Sequence, residues 1–576
     1  MGLSSSDPKQ PVVAHWQSFL LALFGGSSLT VVIVIAPHCS WRGPKAIPRQ
    51  RVNAMPLQLV DLLAKGYFPK ELPPPFTTAS YSQALAGPGA APPARIFQTP
   101  PLHSMQYTHN LVRSGGLRRN LGIPNPKHFF RLAEHVVSNW TNFTTLANQS
   151  PFSLTKPVDG RADRAISPEH ELAERTNYRA RLRSTARYVL KTDISRFFPS
   201  IYTHSLPWAI MGKAAAKVAH AARTLTGTWP DNTDVLSRSI ANNQTVGIPI
   251  GPDTSRLLAE VLLSRIDIEL ANKISGLIGL RYIDDYEFHF ATRSEAENTL
   301  SFLQHLLNEF ELALNPSKTV ILELPDYFDP AWTSKIRIFA FRKAGSRGQR
   351  NDITAYFDMV FELFKNFPEE GLLKYAIARL RDQDIGATNW SLFENILSHC
   401  ALVEPACLPQ ICDQLIYYQS KGYPPHTPLW NTCLNRIVFE RVPLGQSSEA
   451  TWAMWLMKLL NIPLADNSEK VVNASEDSAV GLMALGLATV GLANPASLVG
   501  LHRFSHSSNL FQNQWLLCYQ GNYMEWLGPS SGRTVLHADP VMGYLESRNV
   551  TFFDINVPKP APIRGGLLLG GAGGGY

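Results

Sequence analysis

Apolar and polar positions along the chain fall into two regimes. Up to about residue 345, short β-branched and aromatic runs alternate with helical periodicities; past about 350 the strand signals fade and amphipathic helices follow one another. The run RYVLKTDI at 187–194 predicts a strand with Asp193 near its end. Residues 255–274 predict a helix with Leu258, Val261, Leu262 and Ile266 on one face. GLRYIDDYEFHF at 279–290 predicts two short strands meeting at a tight Asp284-Asp285 turn. A helix over about 294–314 follows, with Leu300, Leu303, Leu307, Phe310 and Leu314 at helical spacing, and Asn315-Pro316 ends it. Strand, helix, strand–turn–strand, helix, strand describes an α+β fold, an antiparallel sheet with helices on one face. The helices beyond 350, among them DITAYFDMVFELFKNF and TWAMWLMKLLNI, predict an all-α, helical-repeat-like C-terminal domain of stacked helix pairs.

Composition changes this picture at the ends. Residues 1–54 are an N-terminal extension that reads as lying upstream of the native start, because at Met55 the chain turns into an amphipathic helix followed by a Pro-rich stop. Within the extension, residues 16–36 approach the length of a membrane span, but two glycines, two serines and a threonine interrupt the run, so no membrane partner is expected. Residues 55–160 form an N-terminal region, rich in Pro, Gly and Ala up to about 125, which predicts short helices joined by extended loops. Residues 161–345 hold the α+β part, 346–520 the helical domain, and 521–576 a C-terminal segment ending in a flexible Gly-rich tail. The six cysteines are scattered without a CxxC pair, as for thiols in a reducing compartment such as the cytoplasm. The +7 net charge suits a phosphate-rich partner without identifying one.

Chemistry concentrates in the strands. Asp193 ends one strand and Asp284-Asp285 sits in a hairpin turn 91 residues later, so adjacent strands of one sheet can bring the three carboxylates together. Carboxylates crowded beside a buried sheet repel one another and need a cation, and Mg²⁺ prefers such oxygen ligands. Nucleotidyl transfer uses two divalent metals about 4 Å apart in such a setting. Just upstream, Arg161, Arg164, Arg175, Arg179, Arg181, Arg183 and Arg187 form a dense basic set, either a solvated face or a phosphate-facing surface.

With these residues in view, TDISRFFPSI resembles motif A of reverse transcriptases, GIPIGPDTSRLLAEVLL motif B, RYIDDYEF the YxDD motif C, and LALNPSKT motif D, in the family's order and spacing. The resemblance implies a right-hand polymerase palm and fingers. It implies Asp193 and Asp284 as ligands of two Mg²⁺ ions (Mn²⁺ being the alternative), with Asp285 as a supporting metal ligand. Phe198 matches the aromatic steric gate against a 2′-hydroxyl, and Lys318 the motif D lysine that protonates the pyrophosphate leaving group. Gly251 and Ser255 match the turn that shapes the nucleotide and template pocket. Arg164 resembles the fingers arginine that contacts the triphosphate, with Lys156 a weaker match. One departure stands out: Ile250 occupies the place where motif B usually carries Gln, which removes an amide contact near the template.

A reverse-transcriptase core followed by a long α-helical domain resembles the bacterial abortive-infection and defence-associated reverse transcriptases. That resemblance implies an RNA-directed, or with Ile250 in motif B partly untemplated, DNA polymerase in antiphage defence, using dNTPs and an RNA template that could be a dedicated non-coding RNA. Homo-oligomerisation is a further expectation, from exposed apolar helix faces. Some members of the group prime DNA synthesis from a protein hydroxyl, leaving the DNA product covalently attached; here Tyr576, behind a Gly-rich tail spanning about 17 Å root-mean-square, is the candidate. Two alternatives stand beside this reading: an RNA-dependent RNA polymerase, and a catalytically degenerate palm that serves as a nucleic-acid-binding scaffold.

Overall fold

The polar stretch after residue 105 folds into a hairpin, β1 (Tyr107–Val112) and β2 (Arg118–Ile123), turning at Gly115 with φ +72°. The computed structural model describes residues 56–160, 163–528 and 532–561. The extension, its apolar 16–36 segment, Arg161 and the Gly-rich end with Tyr576 lie outside the described residues. The hairpin is a correction to the expectation of helices and loops alone up to residue 125. Its strand pattern is masked by polar residues that the helical region satisfies. Asn110 and Val112 donate their backbone N–H to the hydroxyls of Ser447 and Ser448, at 2.9 and 3.0 Å, and Arg118 forks onto Glu449 at 2.6 and 2.9 Å.

Two short strands, β3 (Pro157–Asp159) and β4 (Ile166–Pro168), pair antiparallel. The central sheet contains β5 (Tyr188–Asp193), β6 (Ile278–Tyr282), β7 (Asp285–Phe290) and β8 (Val320–Glu323) in the order β6-β7-β5-β8, all neighbours antiparallel. Alternation along β7 explains its central place. Tyr286, Phe288 and Phe290 point into the apolar core, while Glu287 and His289 are buried on the opposite face. The helix Asp253–Lys273 supplies Leu258, Val261, Leu262 and Ile266 to that core, as its spacing predicts.

The helix expected over about 294–314 runs from Arg293 to Glu309, and a Thr292/Glu295 capping box starts it. It stops short because Glu311 turns left-handed (φ +62°) and the Leu312 N–H closes back on the Leu307 carbonyl. That frees Leu314 to form a bridge with Ile194, which extends the sheet toward the Asp193 end.

Beyond Arg347 the described chain is helical, from Arg347–Asn366 through Pro540–Ser547. It does not end as an open stack of helix pairs. The final segment returns to the start of the described chain. Thr77 donates its N–H to the Phe552 carbonyl at 3.0 Å, and the Phe552 ring lies among Tyr67, Phe68, Tyr81, Trp515 and Tyr519. Trp515 donates from Nε1 to the Ile123 carbonyl at 3.0 Å. Lys127 and Asp539, 0% and 3% exposed, form an ion pair at 2.7 Å.

An unpaired buried ammonium is far costlier than a paired one. Asp539→Ala should therefore destabilise the protein by about 3–5 kcal/mol, read as a lower thermal midpoint. The double change Lys127→Met with Asp539→Leu should recover most of that loss, because no buried charge remains.

Candidate active site

Antiparallel pairing of β5 with β7 sets Asp193 directly opposite Asp285. Asp284 lies in the two-residue turn between β6 and β7, after Ile283, whose φ is +58°. A β-branched residue in that region is unusual and needs surrounding contacts to hold it. The Asp193 carbonyl accepts the Asn315 N–H at 2.8 Å, and the hydroxyls of Thr192 and Thr319 share a 2.7 Å hydrogen bond. These contacts bring the Pro316–Lys318 turn alongside β5, so that Lys318 donates from Nζ to Asp193 Oδ2. Two strands, a hairpin turn and a 3-10 turn thus bring Asp193, Asp284, Asp285 and Lys318 together.

Charge is the dominant physics of this corner. Burial first, then the neighbouring Asp285 and Asp193, push the Asp284 carboxyl up to about 7. Asp285 is also raised, by burial and Asp193 against the pull of Arg175. Burial works against the Lys318 ammonium, yet its hydrogen bond to Asp193 and the three carboxylates raise it above the usual lysine value. Arg175 stands 3.6 Å from Asp285 and lies over the Tyr282 ring. Among the described residues, no three potential ligands close into a metal cage. Lys318 and Arg175, cations of the chain itself, lie against two of the carboxylates. The donors are nonetheless all carboxylate oxygens whose mutual repulsion a hard divalent cation would relieve, so the residues fit such an ion.

The remaining sequence candidates lie around this corner in different roles. Phe198 sits on the short helix Phe197–Ser200 and is buried; with Phe197, Thr155, Pro157 and Ile283 it lines a narrow cleft, and its carbonyl accepts the Ile248 N–H at 3.0 Å. Gly251 has φ +132°, and a Cβ there would lie 2.6 Å from Pro69 Cγ, so only glycine fits the turn. Ser255 is buried in the first turn of the helix behind the sheet. Ile250 offers its carbonyl to the Gly122 N–H at 2.8 Å, which ties β2 to the motif B loop through the backbone.

Arg164 is not brought to the carboxylates. It donates from Nε to Asp253 Oδ1 at 2.8 Å, from Nη1 to the Phe68 carbonyl at 3.1 Å and from Nη2 to the Gly251 carbonyl at 2.8 Å. It braces the motif B loop. Lys156 is half-buried just ahead of β3, and its carbonyl accepts from Glu169. Most of the other arginines singled out with Arg164 also meet acids. Arg179 and Arg183 clamp Glu287 at 2.7 and 2.9 Å, and Arg187 pairs with Glu323 at 3.0 Å. Burial works against Glu287, but His289, Arg179 and Arg183 outweigh it and hold its carboxyl far below the usual range. Among the described arginines of this set, Arg175 is the one that pairs with a carboxylate of the corner, Asp285.

Two arginines at the site went unread in the sequence. Arg119, on β2, is half-buried, and its backbone pairs with Leu111 of β1. Burial and Arg113 hold its guanidinium below the ordinary value, against the attraction of Asp284, Glu71 and Asp193. Nothing in its local pattern announces this, because the hairpin that carries it was itself hidden. Arg281, an arginine inside the apolar strand GLRYI, did carry a signal: a charge at that position requires buried partners.

Residues 123–342 match the model of the reverse transcriptase (RNA-dependent DNA polymerase) family. The chain carries a reverse transcriptase domain. It is an RNA-directed DNA polymerase, a nucleotidyltransferase that acts on nucleotide substrates with a nucleic-acid template. The reverse transcriptase match spans β3 to β8 and includes all three carboxylates and Lys318; β1 and most of β2 precede it. No curated relative matches the chain. Among the described residues no helix is long and apolar enough to cross a membrane.

The elevated Asp284 carboxyl has a measurable consequence. With burial and its two neighbours raising the Asp284 carboxyl to about 7, the folded, metal-free protein keeps a proton there that an unfolded Asp releases near the ordinary 3.8. Between those limits the folded state binds more protons, so this group's contribution to stability falls as pH rises. In chelator at pH 8, Asp284→Asn should raise the melting temperature by a few degrees; at pH 4 the difference should vanish.

Proposed function

We propose that the protein copies an RNA template into DNA by two-metal nucleotidyl transfer at the end of β5 and β7. The opposition of Asp193 and Asp285, with Asp284 in the adjoining turn and Lys318 against Asp193, is the observation that carries this reading. Two Mg²⁺ ions held by Asp193, Asp284 and Asp285 would supply activation of the attacking 3′-hydroxyl and neutralise phosphate charge. Lys318, charged and next to these carboxylates, is placed to give a proton to the departing pyrophosphate. Phe198 closes the sugar side of the cleft and excludes a 2′-hydroxyl by bulk. Gly251 and Ser255 shape the motif B turn, and Arg164 supports that turn from behind. Arg175 and Arg119 supply positive charge for the triphosphate.

The helical region after the palm and the GIPIGPDTSRLLAE form of motif B support placement among bacterial defence-associated reverse transcriptases, with DNA synthesis serving antiphage defence from the cytoplasm. In that setting Tyr576 serves as a protein primer, a dedicated non-coding RNA as template, and the active species is a homo-oligomer. Mass spectrometry should find nucleotides on Tyr576, and Tyr576→Phe should lose that adduct; an unmodified tyrosine with an active Phe variant removes priming from the proposal.

Incorporation of labelled dNTPs on RNA and DNA templates tests the central reading. Asp193→Ala and Asp284→Ala should each abolish incorporation. Lys318→Ala should slow it about 10²-fold, and Phe198→Ala should admit rNTPs. Synthesis that survives both aspartate substitutions refutes the assignment.

A further inference from the structure

Beneath the Asp284 turn lies a buried charged network that the chemistry above does not use. Arg281, one residue before the end of β6, is 0% exposed. It donates from Nε to Asp267 Oδ2 at 2.8 Å, from Nη2 to Glu260 Oε1 at 2.8 Å and from Nη1 to Glu260 Oε2 at 3.0 Å. Nη1 also donates to the Ile283 carbonyl at 2.9 Å. Glu260 and Asp267 are two turns apart on the helix Asp253–Lys273, so they present to one face.

The network reaches the other side of the same residue. The Ile283 N–H donates to Thr155 Oγ1 at 3.2 Å, and that hydroxyl donates to Glu260 Oε2 at 3.0 Å. Both backbone polar groups of Ile283 therefore end on one buried cluster. Ser150 and Tyr286 complete it, donating to Asp267 at 2.6 and 2.8 Å. The segment carrying Ser150 and Thr155 is bound to the Arg281 backbone as well, through Arg281 N–H to the Phe152 carbonyl at 2.8 Å and Leu154 N–H to the Arg281 carbonyl at 2.9 Å.

We propose that Arg281 is a positioning residue for nucleotide addition: held by Glu260 and Asp267, its fork fixes Ile283 in the left-handed conformation and thereby sets where Asp284 lies. An isoleucine does not hold φ near +58° unaided, since its branched Cβ crowds the backbone there. Freed from the two tethers, the turn relaxes toward ordinary φ and carries Asp284 away from Asp193. A displacement of about 1 Å at a reacting group costs about 10²-fold in rate. The inference rests on Asp284 being catalytic, as proposed above, and adds that its placement is imposed by a charge cluster outside the reacting centre.

Steady-state kinetics of dNTP incorporation by the full-length protein, beside thermal unfolding, tests it. Arg281→Lys keeps the charge but cannot span Glu260, Asp267 and the Ile283 carbonyl together. It should lower kcat about 10²-fold while KM for dNTP changes less than about threefold. Thr155→Val cuts the tether to the Ile283 N–H with far less disturbance, and should show the same split with a smaller loss of kcat. The discriminating measurement is rescue. Ile283→Gly, which adopts positive φ without strain, should restore part of the lost kcat in both backgrounds.

A kcat that stays at the wild-type level while the melting temperature falls overturns the positioning role, as does a loss confined to KM or the absence of rescue by Ile283→Gly. Should Arg281→Lys fail to fold, the Thr155→Val pair decides by the same criteria. A wild-type protein inert on every template would instead overturn the polymerase reading, which separates the two failures.

Discussion

The mutual repulsion of three carboxylates is the constraint around which the catalytic half of the molecule is arranged. Two antiparallel strands and a two-residue turn hold Asp193, Asp285 and Asp284 closer than their charges favour. The surrounding elements answer that repulsion in layers. Lys318 and Arg175 approach from opposite sides of the cluster's sequence neighbourhood, one from a 3-10 turn and one from a helix N-terminus. Below, Arg281 anchors the turn's backbone without neutralising the carboxylates themselves. This leaves the cluster under electrostatic tension, which is the state in which an oxygen site most favours a divalent cation.

The arginines ahead of β5 illustrate how one composition can hold two kinds of residue. Arg179 and Arg183 come from one face of a helix and close over Glu287, a carboxylate buried on the face of β7 away from the apolar core. Arg164 satisfies three carbonyl and carboxylate groups around the motif B loop. Such bidentate, buried contacts suit the planar guanidinium. Much of the charge density that looks like an RNA-binding stripe in one dimension is thus turned inward to hold the sheet and the loop.

What was legible in the sequence follows from where interactions are local. Strand β5, the β6–β7 turn and the helix Asp253–Lys273 are specified by their own periodicity, and motifs A, C and B overlap them, while motif D runs through the loop and the Pro316–Lys318 turn ahead of β8. The hairpin β1–β2 was not legible, because its edge is satisfied by Ser447 and Ser448 more than 300 positions away, and a strand completed by distant hydroxyls shows little apolar alternation. Arg119 was lost with it. The overrun of the helix past Glu309 has a local cause: Leu312 and Leu314 keep an apolar rhythm that serves the core and the sheet rather than a further helical turn. Arg164 was read by motif position, and in the fold it donates to Asp253 and Gly251, which lie in a different motif.

The return of the segment around Phe552 to the first described helices has a consequence for how the protein comes into being. The aromatic nest around Tyr67 and Tyr81 needs Phe552, and the ammonium of Lys127 needs Asp539. On a ribosome that releases the chain from the N-terminal side, every residue of the four-stranded sheet has emerged long before these partners exist. Until then a buried-type lysine and an open aromatic surface remain exposed beside the newly formed sheet. Synthesis through Phe552, rather than completion of the sheet, is therefore what closes these contacts, and a chain cut short before Asp539 leaves both surfaces uncovered.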